Sequence, residues 1–230
     1  MTQFMSNSLF FGAAISLIAY EAGLLLKRKF KIAIFNPLLI AIIAVIAVLC
    51  LLHIDYDTYN QSGQYISYLL TPATVCLAVP LYQQMELLKK NLKAVVIGIV
   101  SGVLASLVSV LILAKLFRLS HEQYVTLLPK SITTAIGMGV SEELGGIVTI
   151  TVAVIIITGV LGNMFAEYIC KLFRIKSPIS RGLAIGTASH AVGTARAMEL
   201  GEVEGAMSSL AIVVCGLCTV IGASIFSYLW

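Results

Sequence analysis

The stretch from Gly182 to Gly201, GLAIGTASHAVGTARAMELG, lies between two strongly apolar segments, yet it is rich in glycine and polar side chains. Its polar side chains belong to Thr187, Ser189, His190, Thr194, Arg196 and Glu199. Because charge at bilayer depth is costly, such residues usually face a bundle interior or a watery cavity. Small residues suit a broken or re-entrant helix, which is tolerated only where it lines a cavity or packs on protein. The stretch therefore predicts a re-entrant hairpin with a polar lining.

A second segment repeats this stretch at a constant spacing. TAIG at 134–137 aligns with HAVG at 190–193, and ELG at 143–145 aligns with ELG at 199–201. Residues 134 and 190 differ by 56 positions, and so do residues 143 and 199. A long apolar run follows each copy. The pattern predicts an internal repeat; the alternative is chance similarity between two segments rich in the small residues common at membrane helix contacts.

Composition indicates a polytopic membrane protein. The chain has 230 residues, of which 59% are hydrophobic and 11% charged, with a mean hydropathy of +1.00. A soluble domain is about a quarter charged. Apolar runs long enough to cross a hydrocarbon core of about 30 Å recur along the chain. The net charge of +4 comes from clustered loop residues. It therefore indicates topology, and we expect no nucleic-acid partner.

The basic loops set the predicted topology. Residues 27–31, 89–93 and 171–181 carry clusters of Lys and Arg and are expected on the cytoplasmic side. The loop at 171–181 stays on the cytoplasmic side only if residues 125–146 enter the membrane from outside and return to the same side. Residues 180–202 then enter the membrane from the cytoplasmic side and return to it. The sequence thus predicts an all-α bundle of about six spanning helices plus two re-entrant hairpins in an inverted repeat, a pattern typical of secondary transporters.

The two parts of the chain are predicted to have different tasks. We expect residues 1–120 to form membrane scaffold and oligomerisation helices, and residues 121–230 to form the inverted-repeat transport core. A GxxxG pair at Gly98 and Gly102 permits close helix contact, inside the bundle or in a homodimer. Pro72 and Thr74 mark either a helix break with free carbonyls or a kinked packing helix.

Three stretches resemble the LrgB/CidB family, and the likeness spans the whole chain. They are TPATVCLAVPLY at 71–82, LLPKSITTAIGMGVSEELGG at 127–146 and GTASHAVGTARAMELGEVEGAMSSLA at 186–211, the second being closer to the CidB-like branch. The resemblance implies a multi-pass protein of the bacterial inner membrane. Bacterial members are described as holin-like or antiholin-like modulators of murein hydrolase activity and autolysis, often paired with a small LrgA/CidA-type membrane protein. Relatives transport small carboxylates: pyruvate in bacteria, glycolate and glycerate in plastids.

A carboxylate site needs hydrogen-bond donors and positive potential, which hydroxyls, basic side chains and helix N-termini supply. The candidate substrate-binding residues are Lys130, Ser131, Thr133, Thr134, Thr187, Ser189, His190, Thr194 and Arg196, with Pro72, Thr74, Glu143 and Glu199 in support. Arg196 offers a bidentate fork, and His190 offers a proton carrier near neutral pH. Alternatively, the hydroxyls bond the carbonyl four residues earlier, and Arg196 pairs with Glu199.

The main functional prediction is a secondary transporter of small monocarboxylates of the pyruvate, lactate, glycolate or glycerate type, with proton coupling. The alternative is a holin-like or antiholin-like modulator of murein hydrolases. Enzymatic activity is not expected, because adjacent Ser189 and His190 point about 100° apart on a helix and no GxSxG elbow is present. The five cysteines form no recognisable framework, and we expect no metal or cofactor.

Overall fold

The computed structural model describes residues 10–30 and 35–230, and within these ranges the chain is helical with no strand. Lys31, part of the first predicted basic loop, lies outside the described residues. The chain divides into two compact units, Met1–Cys76 and Leu77–Trp230. The predicted division of labour between residues 1–120 and 121–230 concerns function and stays a prediction.

The first unit contains α1 (Phe11–Phe30), α2 (Pro37–Leu52), α3 (Tyr56–Ser67) and α4 (Leu70–Cys76). Asn36 caps α2, because its side chain accepts hydrogen bonds from the first backbone amides of the helix. Of the two interpretations of the segment around Pro72 and Thr74, the helix break at that point is wrong, because the helix continues through both residues. Pro72 lies in the first turn of α4, where proline costs little, and the helix is interrupted before Leu70 and after Cys76.

The second unit contains α5 (Ala78–Gln83), α6 (Met85–Lys90), α7 (Leu92–Phe117), α8 (His121–Leu127), α9 (Thr134–Glu143), α10 (Val148–Leu172), α11 (Pro178–Leu200) and α12 (Glu202–Phe226). A short 3₁₀ turn, Ser227–Leu229, follows α12. The core of this unit is built around α7, which buries Val95, Ile99, Val103 and Leu107. These residues recur every fourth position, so they form one stripe along the helix.

Within residues 10–30 and 35–230, four segments are long and apolar enough to cross a membrane: Tyr56–Gln83, Leu92–Phe117, Val148–Leu172 and Glu202–Leu229. Pro37–Leu52 is a shorter apolar helix. Large apolar side chains remain exposed on these segments, for example Ile97, Leu116 and Leu217. An apolar outer surface on long helices is what a lipid environment requires. The predicted all-α membrane class is confirmed, whereas the number of about six spans stays a prediction.

α11 is broken at His190, whose backbone angles are φ 43° and ψ −139°. A positive φ of this kind is rare outside glycine and ends the helical path. Before the break, Gly182 packs against Glu204, and Gly186 packs against Ser208. The residue numbers of both members of these pairs rise together, by four in each helix. The first half of α11 therefore runs in the same direction as α12.

The second half of α11 runs the other way. The hydroxyl of Thr194 lies 2.7 Å from that of Ser208, and Met198 packs against Gly205. From Thr194 to Met198 the residue number in α11 rises, whereas the number of the partner in α12 falls from Ser208 to Gly205. The chain therefore reverses direction at His190, and α11 is a helical hairpin.

A matching reversal occurs in the first repeat copy, between α8 and α9. Thr151 of α10 donates a hydrogen bond to the carbonyl of Thr126 (2.9 Å) and contacts the Ser141 hydroxyl (2.7 Å), so it joins both arms of that hairpin. Residues 126 and 151 have counterparts 56 positions later in Gly182 and Met207, and a Cβ added to Gly182 would lie 2.9 Å from Met207 Cβ. The repeat seen in the sequence is thus also present in the contacts.

Each hairpin tip rests on the long helix that follows the other hairpin. A Cβ on Gly216 of α12 would lie 3.0 Å from Ile136 of the first hairpin. A Cβ on Gly159 of α10 would lie 3.0 Å from Val192 of the second. Residues 136 and 192 are again 56 positions apart. Glycine at both contact points lets each tip approach the partner helix closely.

Candidate functional site

A groove of about 850 Å³ opens within the second unit, between α7 and the two hairpins. The small face of α7 forms one wall, with Gly98, Ser101, Gly102, Ala105, Ser106 and Ser109. The other walls come from Lys130 and Ser131, from Thr158 and Gly162 of α10, and from the first half of α11 down to Ser189. Both repeat copies therefore contribute to one concavity.

The first hairpin brings a cation to the groove. Lys130 lies in the turn between α8 and α9, and its Nζ donates a hydrogen bond to Ser131 Oγ at 3.0 Å. Ser106 of α7 lies 3.4 Å from the same hydroxyl. Among the residues the structure describes, no carboxylate oxygen lies within 4.0 Å of Lys130 Nζ. The groove thus contains a lysine that is shielded from solvent in part but not neutralised by an acid.

The second hairpin supplies small polar side chains. The Thr187 hydroxyl donates to the Leu183 carbonyl (2.7 Å), and its methyl group faces Gly102, where an added Cβ would lie 2.5 Å away. Ser189 packs directly against Gly162 of α10. The GxxxG face of α7 is therefore used within the chain, to admit this hairpin.

Two predicted site residues hold the break together instead of lining the groove. His190 is buried, and its Nε2 lies 3.0 Å from the Ile155 carbonyl oxygen of α10. Thr194 donates to the His190 carbonyl at 2.8 Å. These bonds hold a backbone conformation that is otherwise unfavourable for a non-glycine residue.

Arg196 lies in a network of acids. Its guanidinium pairs with Glu167 of α10 at 3.2 Å and with Glu199 one turn later in α11. The structure thus shows the pairing with Glu199 that the sequence offered as an alternative, and adds a second partner.

The remaining candidates lie at helix ends or in the other unit. Thr134 begins α9 and Thr133 precedes it as the N-cap residue, and both lie outside the groove lining. Glu143 is exposed at the end of that helix. Pro72 is exposed in the first unit, and the side chain of Thr74 is outside the described residues.

Sequence reasoning missed several polar residues near the site. The GxxxG pair of α7 indicated only close helix contact, although Ser101, Ser106 and Ser109, interleaved with glycines on the same helix face, could have indicated a polar wall. Sequence reasoning also passed over Asn163, the only amide in α10, which donates to the Val192 carbonyl next to the hairpin break at 2.7 Å. A lone amide in an apolar span is itself a signal of a buried polar contact.

An all-helical chain with long apolar helices, two hairpins and a polar groove between them is an integral membrane protein. The model of the LrgB-like family matches residues 16–229. The antiholin-like protein LrgB of Bacillus mycoides (strain KBAB4) is 41% identical over 218 residues, which cover 94% of this chain and 95% of that protein. The antiholin-like protein LrgB of Bacillus cereus (strain B4264) is 40% identical over the same shares. The chain therefore belongs to the LrgB family. No solved structure gave a significant match.

Proposed function

We propose that this protein acts in the bacterial inner membrane as an antiholin-like protein, restraining murein hydrolase activity and hence autolysis. The supporting observation is the 40–41% identity to proteins named antiholin-like over nearly the full length of both chains. The whole second unit, including both hairpins, lies within the match to the family model apart from its last residue. A small LrgA/CidA-type membrane protein and a second copy of this chain are the partners proposed for it.

Complementation tests this role. The chain is expressed in a Bacillus strain from which the corresponding protein has been deleted, and lysis after detergent treatment is compared with that of an empty-vector strain. Expression is expected to slow lysis and to lower hydrolase activity in zymograms. An unchanged lysis rate at normal membrane levels would remove the proposal, and faster lysis would favour a holin-like role.

A second function is favoured by one feature of the groove: Lys130 lacks a carboxylate partner among the described residues. A partly buried cation surrounded by hydroxyls matches the charge and hydrogen-bonding needs of a small carboxylate. Ser131 and Ser106 lie close enough to share that anion with the lysine ammonium. We propose that the groove binds a monocarboxylate of the pyruvate, lactate, glycolate or glycerate type.

The arrangement of the repeat supports transport of that anion. Glu167 of α10 pairs with Arg196, and Val192 packs on Gly159, so the second half of α11 runs along α10 in the same direction. The same half runs opposite to α12, which makes α10 and α12 antiparallel. In this arrangement two antiparallel helices each contact the hairpin of the other repeat copy. Inverted-repeat transporters use such an arrangement to expose a central site alternately to either side of the membrane. The re-entrant position of the hairpins in the bilayer and proton coupling are parts of this proposal.

Uptake into proteoliposomes tests the second function. Labelled pyruvate, lactate, glycolate and glycerate are offered with and without a pH gradient, using the wild type, Lys130→Gln and Lys89→Gln, an exposed lysine at the end of α6. Losing one charged hydrogen bond costs about 1.5–3 kcal/mol, so Lys130→Gln should weaken binding about 10-fold to 150-fold. Lys89→Gln should behave as the wild type.

The same variant separates the two proposed functions. If carboxylate binding controls the antiholin-like effect, Lys130→Gln loses both uptake and restraint of lysis. If restraint persists without uptake, the two activities are independent. Equal uptake by Lys130→Gln and Lys89→Gln would show that the anion binds elsewhere.

A further inference from the structure

A second concavity, the basic pocket, lies where α10 ends and α11 begins. It has a volume of about 350 Å³ and is lined by Glu167, Cys170, Lys171, Arg174, Ile175, Lys176 and Arg181. It is separate from the groove, with which it shares no lining residue. Four of its seven lining residues are cationic, so it is a candidate site for an anion.

Glu167, the one acidic residue in the lining of the basic pocket, does not neutralise the cations of that pocket. Glu167 is paired with Arg196 at 3.2 Å, and Arg181 is paired with the buried Glu204 at 3.2 Å. Lys171, Arg174 and Lys176 have no carboxylate oxygen within 4.0 Å among the described residues. These three side chains are therefore available to an external anion.

The backbone holds the cations around one point. Arg174 adopts φ 54°, which ends α10 and lets the Ile175 amide bond the Cys170 carbonyl at 2.8 Å. The chain turns there, and Ser177 caps the start of α11. The turn brings Lys171, at the end of α10, and Lys176, just before α11, to the same concavity. The N-terminus of α11 adds positive potential behind them.

The position of the basic pocket along α10 indicates which anion it meets. α10 has 25 residues, which is about 37 Å of helix and enough to cross the hydrocarbon core. Its last residues therefore lie at the level of the lipid headgroups. Next to the pocket, α10 and the residue after it expose apolar side chains: Ile169 at 45%, Leu172 at 62% and Phe173 at 70%. Cations beside an exposed apolar surface fit a molecule with a phosphate and acyl chains.

We propose that the basic pocket binds the headgroup phosphate of an anionic phospholipid, whose acyl chains lie against the exposed end of α10. Arg174 provides a fork for two phosphate oxygens, while Lys171 and Lys176 provide point charges. The proposal depends on the membrane location of α10 and is independent of the carboxylate groove.

Binding to the delipidated full chain in detergent tests the proposal. Native mass spectrometry and isothermal titration calorimetry use three probes: short-chain phosphatidylglycerol, short-chain phosphatidylcholine and glycerol phosphate. The test variant is the triple substitution Lys171→Gln, Arg174→Gln, Lys176→Gln. The matched control is Lys27→Gln, Arg28→Gln, Lys29→Gln, which removes the same residue types from the end of α1. A third variant, Lys171→Arg with Lys176→Arg, keeps the charge.

Phosphatidylglycerol is expected to bind the wild type more tightly than the other two probes. The test variant should lose about tenfold or more in that affinity, since each basic residue near a membrane surface adds attraction to anionic lipid. The control and the charge-keeping variant should retain it. Equal losses in test and control variants would overturn the site, and so would equal affinity for phosphatidylcholine. Equal affinity for glycerol phosphate would overturn the lipid assignment. Matching elution profiles and helical circular dichroism are required of every variant compared.

Discussion

Adding a single Cβ atom at Gly186 tests how closely the second hairpin packs on α12. A Cβ added to Gly186 would lie 2.5 Å from the Ser208 carbonyl oxygen and 2.8 Å from Ala211 Cβ. Real Cβ atoms do not approach a backbone oxygen so closely, and neither neighbour can rotate away. Gly186→Ala must therefore push the hairpin and α12 apart.

The matched variant is Gly139→Ala in α9, because an added Cβ there meets no atom within 4 Å. Both substitutions gain the same helix propensity, about 0.5–1 kcal/mol. The clash at Gly186 adds a cost of about 1–3 kcal/mol, the usual penalty for overpacking. The clash exceeds the gain over most of this range, so Gly186→Ala should destabilise the protein and Gly139→Ala should not.

Thermal unfolding in detergent measures the difference. For a chain of this size, 1 kcal/mol shifts Tm by about 2–4 °C, so the two variants should differ by about 2–12 °C. Both variants should also be compared in groove binding, because Gly186 lies one residue before Thr187 at the groove wall. If Gly186→Ala is as stable as Gly139→Ala, the close approach of α11 to α12 and the reasoning built on it are refuted.

Three further outcomes are expected. Thr151→Val should lower Tm by about 2–12 °C, because it leaves the buried carbonyl of Thr126 without its donor, a loss of about 1–3 kcal/mol. Thr149→Val, on the exposed side of α10, should leave Tm unchanged. Arg196→Lys should not restore the stability lost in Arg196→Ala, since an ammonium cannot hold two carboxylates in the geometry of a guanidinium; full recovery of Tm would contradict this. His190→Ala should lower Tm, because it removes the bond from Nε2 to the Ile155 carbonyl that holds the hairpin break, and an unchanged Tm would contradict that role.

Much of the architecture could be predicted from the sequence. Long apolar runs can be stable in only a few ways in a bilayer, so the all-α membrane class follows from composition and length. The repeat follows from seven aligned pairs at one spacing, and the structure adds matching contacts such as Thr126 with Thr151 and Gly182 with Met207. Gly182–Gly201 was rightly singled out, because the chain reverses within it.

The composition of the groove was decided only by tertiary structure. Lys130 and Ser106 are on different elements, and nothing in their spacing shows that α7 turns its serines toward the first hairpin. Arg196 looked like an anion ligand because its charge stood in an apolar context. The approach of α10 brings Glu167 to it and makes it part of an ion-pair network. Periodicity along one helix shows which residues share a face, but which neighbour that face meets depends on contacts between distant segments, and those contacts form only when the whole unit packs.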